Sequence, residues 1–250
     1  MSGAPRAHTL RLAPTADDLA DIAAAEITAL LSMAVSWRGA AHLCLAGGST
    51  PRRVHRALVA SGFDGWPHVH IWFGDERCVP PGHADSNVGM AHETLIDLVP
   101  IDPLHVHRLA GDLAPADAAR HYDEQLRAQA TGLGLDVPRM DALVLGMGTD
   151  GHTASVFPDS PLLAAGEGAD VWCAAVHVPH LDTWRLTLTP PVLQAAAAVA
   201  VLVSGADKQL ALARVLRGAA PVSALPARLL EDARGDVVWF VDEPALFAAP

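Results

Sequence analysis

The sequence predicts an α/β fold: a mainly parallel, Rossmann-like sheet flanked by helices, with a small additional α/β subregion. Three observations predict it. Short apolar runs alternate with longer helix-like segments along the whole chain, the order that strand–helix–strand units produce. Hydrophobic residues make up 51 % of the 250, enough for a large core. Glycine-rich turns follow two of the apolar runs, at Gly47-Gly48 and at Gly146, Gly148 and Gly151, and the carboxyl ends of strands are where open α/β sheets place their ligands.

In chain order, Thr15-Ala-Asp-Asp18 caps a helix running to about Val35. His42 to Ala46 reads as a strand. Gly47-Gly48-Ser49-Thr50-Pro51 then opens a helix to about Ser61, with Thr50 at the N-cap and Pro51 in the first turn. Val69 to Phe73 is a strand, followed by a polar loop from Gly74 to Pro80. Ser86-Asn87 begins a helix, His105 to Leu109 is a short strand, and Pro115 to Ala130 is a helix. Ala142 to Leu145 is a buried strand that breaks into the second glycine turn. Val171 to Val178, Trp184 to Thr189 and Ala198 to Ser204 follow as strands. Gly205 to Arg217 is a helix with Gly218 past its end, and Val237 to Val241 is the last strand. No repeat, linker or charge block divides the chain, so residues 8–247 are expected to form a single domain.

Composition excludes several classes. The net charge is −11 and no basic stripe exists, so nucleic acid is not an expected partner. An anionic ligand would need locally concentrated positive charge. No run approaches the length of a membrane span, and Met1 to Pro14 lacks the apolar stretch of a signal peptide. Cys44, Cys78 and Cys173 are odd in number and scattered, as expected of reduced thiols in a cytoplasmic protein. Among 13 histidines, His68-x-His70 and His105-x-His107 each put two imidazoles on one strand face, and His177-x-x-His180 is a looser pair. No cysteine or carboxylate spacing completes a zinc motif, so they read as scattered surface residues and no metal is expected. The six tryptophans read as core or rim packing.

Chemistry concentrates in four places. At Gly47-Gly48-Ser49-Thr50, free backbone N–H groups and the positive end of a helix dipole would face a phosphate, although an ordinary strand-to-helix turn favours the same residues. Asp75-Glu76-Arg77 follows another strand. Arg77 suits two-pronged contact with a phosphate or carboxylate, and Asp75 suits orienting it or a sugar hydroxyl; a solvated loop reads the same way. On Trp184-Arg-Leu-Thr-Leu-Thr189, Arg185, Thr187 and Thr189 share a face, either exposed or lining a pocket. Lys208, the only lysine, falls in the first turn of its helix, where a cation is disfavoured by roughly 0.3–1 kcal/mol. A bound anion explains it; an ion pair with Asp207 is the competing account.

Gly146-x-Gly148-x-x-Gly151 also fits a dinucleotide fingerprint, with Glu167 and Asp170 near the place of a ribose-binding acid. That motif needs a long helix from its last glycine, and Pro158 forbids one. In its place the turn holds Asp150 and His152, a carboxylate beside a residue that moves protons at neutral pH.

Taken in order, Leu45 to Pro51, Phe73-Gly-Asp-Glu-Arg-Cys-Val-Pro80, Ser86-Asn87, Leu145 to Pro158, Arg185-Leu-Thr and Gly205-x-x-Lys208 closely resemble the 6-phosphogluconolactonase family, from about residue 8 to 247. The family shares its fold with glucosamine-6-phosphate deaminases and ribose-5-phosphate isomerases. The deaminases carry Asp-Glu-Tyr at Asp75-Glu76-Arg77 and Phe-Asn-Glu-Pro at Ser155-Val156-Phe157-Pro158. Isomerisation needs that extra acid/base group; lactone hydrolysis needs an activated water, charge stabilisation and positioning. The resemblance implies a phosphosugar lactone as substrate, no cofactor, and a monomer or weak homodimer. It implies His152 as base, with Asp150 orienting it and Arg77 supplying charge. It implies substrate binding by Gly47, Gly48, Ser49, Thr50, Asp75, Gly148, Arg185 and Lys208, with N–H groups of the glycine turn at the oxyanion.

Overall fold

A computed structural model describes residues 8–164, 170–218 and 220–247. The elements are β1 (Thr9–Ala13), α1 (Ala16–Arg38), β2 (Ala41–Leu45), α2 (Ser49–Ala60), β3 (Val69–Phe73), β4 (Asp75–Arg77), α3 (Asn87–Thr94), α4 (Pro115–Gly132), β5 (Ala142–Gly146), β6 (Cys173–Val178), β7 (Thr183–Leu188), α5 (Pro190–Ala195), β8 (Ala198–Val203), α6 (Gln209–Leu216), β9 (Asp236–Asp242) and α7 (Glu243–Leu246). Six strands form one sheet in the order β1-β9-β8-β5-β2-β3, parallel at every pairing. β4, β7 and β6 form a second, antiparallel sheet, against which α4 packs. This is the predicted large parallel sheet with its small subregion.

The central strands are buried on both faces, which is why β2 and β8 read as continuous apolar runs rather than alternating ones. α1 lays Leu19, Ala23, Ile27 and Leu31 on the sheet at helical spacing. Its N-cap is Thr15, whose hydroxyl accepts from Asp18 N–H, and Gly39 ends it in the left-handed region. By length and composition α1 could cross a membrane, contrary to the expectation that no run would reach that length; its buried stripe packs instead on the protein's own sheet. Trp66, Trp72 and Trp239 are fully buried, whereas Trp37 is 87 % exposed on the outside of α1 and packs neither in core nor rim.

Other departures have local causes. β1 was not foreseen: it is a short edge strand, mostly exposed, without a continuous apolar run. The loop expected at 74–80 contains β4, because three adjacent charged residues hide a strand whose faces alternate Asp75/Arg77 against Glu76. The strand expected at 105–109 is a 3-10 turn at Pro103–His105 with one bridge, Val106 to Ile71. The histidines there are not scattered over the surface. His70 stacks on His42, His105 and His107, with His70 Nδ1 3.0 Å from His107 Nε2. Among the described residues, no three metal-binding side chains converge in a way that could hold an ion. All three cysteines are free.

Candidate active site

Apart from Arg185, which lies within β7 of the small sheet, the nominated residues follow the carboxyl ends of parallel strands. The sheet order β8-β5-β2-β3 sets the Lys208, His152, Gly48 and Asp75 loops side by side.

The β5 turn is built around its acid–imidazole pair. Asp150 Oδ1 lies 2.6 Å from His152 Nδ1 and also accepts the His152 backbone N–H at 3.1 Å. With an ionised carboxylate, Nδ1 carries the proton, and Nε2 is left as the bare acceptor. Burial raises the Asp150 carboxyl, but the hydrogen bonds from the His152 ring and backbone outweigh it and hold the group down at about 2. Phe157 packs against the imidazole at 4.2 Å between centroids. Gly148 is required by this pair: a Cβ there would lie 2.1 Å from His152 Nδ1 and 2.6 Å from Asp150 Oδ1. Gly148→Ala is therefore expected to keep the fold but displace the imidazole, cutting turnover about 100-fold; an alanine variant with wild-type kcat would mean the pair is not where the chemistry occurs.

The turn closes on itself. Gly148 N–H donates to His152 O, Gly151 N–H to Gly148 O, and His152 N–H to Asp150. These three donors are spent, so among the N–H groups expected at an oxyanion those of Gly148, Gly151 and His152 are not available. No long helix follows Gly151: Thr153 bridges Val156, and the next helical piece is a 3-10 turn at Pro161–Leu163. That removes the dinucleotide reading. Asp170 is a turn residue whose carbonyl accepts from Arg127, and Glu167 lies outside the described residues.

Ser155, three residues beyond His152, ties this loop to β4. Its hydroxyl donates to Asp75 Oδ2 at 2.6 Å, and its N–H donates to Thr187 Oγ1 at 3.2 Å. Asp75 Oδ1 accepts from Asn87 Nδ2 at 3.1 Å. Asp75 is thus held from two sides, as a spacer between the β5 loop and α3. Asp75, Arg77, Arg185 and Thr187 share the polar face of the small sheet, with Arg77 directly opposite Arg185. Burial and then Arg77 lower the Arg185 pKa. Two guanidinium groups facing each other across strands repel unless an anion lies between them. Arg77 Nη1 donates only to the Asp85 carbonyl, at 2.6 Å, so it remains available.

Two residues that sequence reasoning passed over hold these loops. Glu76, 1 % exposed, points away from Asp75 and Arg77 and accepts from Arg77 N–H, Ser86 Oγ, Asn87 N–H and Val88 N–H at 2.7–2.9 Å. Burial raises its pKa while these donors oppose it. Every partner is a donor, so the carboxylate is the form that fits, and it satisfies the first N–H groups of α3. Period-2 alternation within the charged triplet was the available signal. Asp242 accepts from Gly205 N–H at 3.0 Å and Ala245 N–H at 2.9 Å, anchoring the Lys208 turn to β9. No sequence pattern marked it.

The Gly47–Thr50 loop differs in one detail. Gly48, at φ 107°, is the N-cap of α2, and Thr50 is already inside the helix. Glycine's freedom lets the chain enter the helix before Thr50, and Pro51 still falls in the first turn, where no N–H is needed. α2 has no side-chain cap and no acid in its first turn, so its leading N–H groups stay open. Gly47 is pressed on Asn87: a Cβ would sit 1.7 Å from Asn87 Oδ1. Gly48, Ser49 and Arg77 line one cavity. Lys208 ends a 3-10 turn before α6 rather than standing within an α-helix, and its ammonium lies 3.2 Å from Asp207, the competing partner. Asp207 is exposed, so that pair is weak. The structure thus joins Asp150, His152, Gly148, Asp75, Arg77 and Arg185 through Ser155 and the small sheet, and sets the Lys208 turn on the neighbouring strand.

A family described as glucosamine-6-phosphate isomerases/6-phosphogluconolactonase matches residues 14–239. A 6-phosphogluconolactonase from Synechocystis sp. is 34 % identical over 221 residues, covering 88 % of this chain and 89 % of that protein. One from Nostoc sp. is 35 % identical over 217 residues, covering 86 % and 87 %. The solved structure of 6-phosphogluconolactonase from Trypanosoma brucei superposes with a TM-score of 0.82 at 27 % identity, covering 97 % of this chain and 98 % of that one. A monomeric glucosamine-6-phosphate deaminase shares the fold at a TM-score of 0.79 and 18 % identity, covering 95 % and 98 %. The chain belongs to the glucosamine-6-phosphate isomerase/6-phosphogluconolactonase family.

Proposed function

We propose that this chain hydrolyses 6-phospho-D-glucono-1,5-lactone to 6-phospho-D-gluconate, in the oxidative branch of the pentose phosphate pathway. The observation that carries the reading is the Asp150–His152 pair, which leaves Nε2 free as a base beside a polar face bearing Arg77 and Arg185. His152 takes a proton from water as it attacks the C1 carbonyl. Asp150 holds the ring and stabilises the imidazolium that forms. Arg77 supplies positive charge at the oxyanion. His152 then returns its proton to the ring oxygen that leaves. The phosphate rests on the open N–H groups of the Gly47–Thr50 loop, with Arg185 and Lys208 at its flanks. The lactone ester is already activated, so the reaction calls on no cofactor.

The deaminase reading is disfavoured because Phe157, which packs on His152, stands at the position of the deaminase glutamate and offers no acid/base group. Freshly prepared lactone should be hydrolysed faster than its spontaneous rate, and glucosamine 6-phosphate should release no ammonia. The opposite pair of results would transfer the chain to the deaminase class. Nicotinamide cofactors should show no saturable binding. Lys208→Ala should raise KM about tenfold with kcat preserved, since a phosphate grip is shared by ground and transition states; an unchanged KM removes Lys208 from the site. The three free cysteines fit a cytoplasmic setting. The chain is expected to act as a monomer or weak homodimer.

A further inference from the structure

Beside the phosphate loop lies a cavity of about 380 Å³ walled by Arg52, Arg53, Arg56 and Arg77, together with Gly48, Ser49, Ser86 and Asn87. Its wall contains no aspartate or glutamate. That is unusual in a chain of net charge −11, where 4 of the 17 basic residues gather at one hollow. A second cavity, of about 660 Å³ between β1, α1 and β9, shows the contrast: its arginines, Arg11 and Arg234, share the wall with Glu26, Glu231 and Asp236.

Ser49, Arg52, Arg53 and Arg56 recur at helical spacing on one face of α2, and Arg52 falls in the first turn, where the helix dipole disfavours cations. The first turn has no acid to offset them. Arg52 is paired with Glu93 and Arg53 with Asp17, both carboxylates lying outside the cavity wall. Among the described residues Arg56 has no ion pair, and Arg77 donates to a carbonyl alone. Asn87, in the same wall and 2 % exposed, has its Oδ1 without a donor. Its Nδ2 donates to Asp75 O and Oδ1, which fixes the amide's orientation. With the loop's N–H groups taken by the substrate's phosphate, two guanidinium groups free of carboxylates and an unused buried acceptor remain, a set that suits a second hydrogen-phosphate group.

We propose that this arginine hollow is a second anion subsite, next to the one that holds the substrate's phosphate, and that it takes the second phosphate of a bisphosphorylated sugar or a pyrophosphate. Such a compound spans both subsites and competes with the monophosphorylated lactone. The proposal rests on the phosphate-loop assignment above, but its test does not need turnover. Inorganic pyrophosphate and inorganic phosphate are titrated into the protein by calorimetry and, separately, used as inhibitors of lactone hydrolysis. Pyrophosphate should bind at least about tenfold more tightly than phosphate and compete with the lactone. Arg56→Ala should erase that advantage while leaving phosphate affinity and kcat/KM for the lactone within about twofold. Arg120→Ala, an exposed charge on α4, should change nothing, which separates contact from long-range attraction. Equal affinity for the two anions, or an undiminished pyrophosphate advantage in Arg56→Ala, overturns the subsite. A fall in lactone kcat/KM in Arg56→Ala also overturns it, by making the hollow the substrate's own phosphate site. If pyrophosphate binding depends on Arg56 but no lactone is hydrolysed, the proposed reaction fails and the subsite stands.

Discussion

His152→Ala is expected to lower kcat for lactone hydrolysis by roughly a hundred- to ten-thousandfold, the usual contribution of a positioned general base. KM should change little, because the phosphate grip lies on other strands. Asp150→Asn should lose a comparable amount for a different reason. An asparagine facing Nδ1 through its amide N–H favours the tautomer with the proton on Nε2, and the ring then has no free lone pair for water. Removing both should cost little more than removing one, since each change disables the same unit. The Asp150 carboxyl is held near 2, so it stays ionised throughout the neutral range and adds no limb to the pH–rate profile there. Measuring kcat and KM for the two single variants and the double decides the matter. A His152→Ala enzyme with near wild-type kcat would end the base assignment, and additive losses would mean that the two residues act separately.

Much of this was readable in the sequence, and the reasons are specific. Strands buried on both faces announce themselves as apolar runs, so β2, β3, β5, β8 and β9 fell within a few residues of their predicted places. The Asp150–His152 pair was readable because both residues sit in one turn. Two edge strands were not readable: β1 is exposed and short, and β4 is a strand of charged residues. What a local pattern cannot carry is which groups are spent. The glycine turn looked like a set of free N–H donors, yet three of them, at Gly148, Gly151 and His152, close on the turn's own carbonyls and carboxylate. Asp75 looked like a free carboxylate but is held by Ser155 and Asn87, residues 80 and 12 positions away. Glu76 and Asp242 are connectors whose meaning appears only when α3, and the turn after β8, arrive beside them.

Acid should destabilise the fold well before its carboxylates titrate. His42 and His55 are both buried, and burial, named first among the causes, lowers each pKa from 6.5 to about 3. His70, His107, Arg38 and His105 add to the effect on His42, and Arg52 to that on His55. The hydrogen bonds agree. Trp72 Nε1 donates to His42 Nδ1 at 3.0 Å, which requires a bare nitrogen there. Thr94 Oγ1 donates to Met90 O, so it accepts from His55 Nδ1–H at 2.9 Å, and His55 Nε2 is buried with no partner. A proton on Nε2 would have nothing to bond. The unfolded chain takes up these protons near 6.5 and the folded chain only near 3, so the unfolded state binds more protons in between and stability falls as pH drops through that window. At pH 5 each residue withdraws about 2 kcal/mol, out of a total that for most domains is about 5–15 kcal/mol. Urea unfolding at pH 7 and pH 5 should therefore show a loss of about 4 kcal/mol from the pair. His55→Leu gives up one hydrogen bond, costing about 1 kcal/mol at pH 7, but should remove His55's own share, about 2 kcal/mol, from the loss on acidification, the remainder coming from His42 and from His70 and His107, whose pKa values burial also lowers. Equal wild-type stability at the two pH values, or a His55→Leu variant as acid-sensitive as its parent, would show that these imidazoles find solvent in the folded protein.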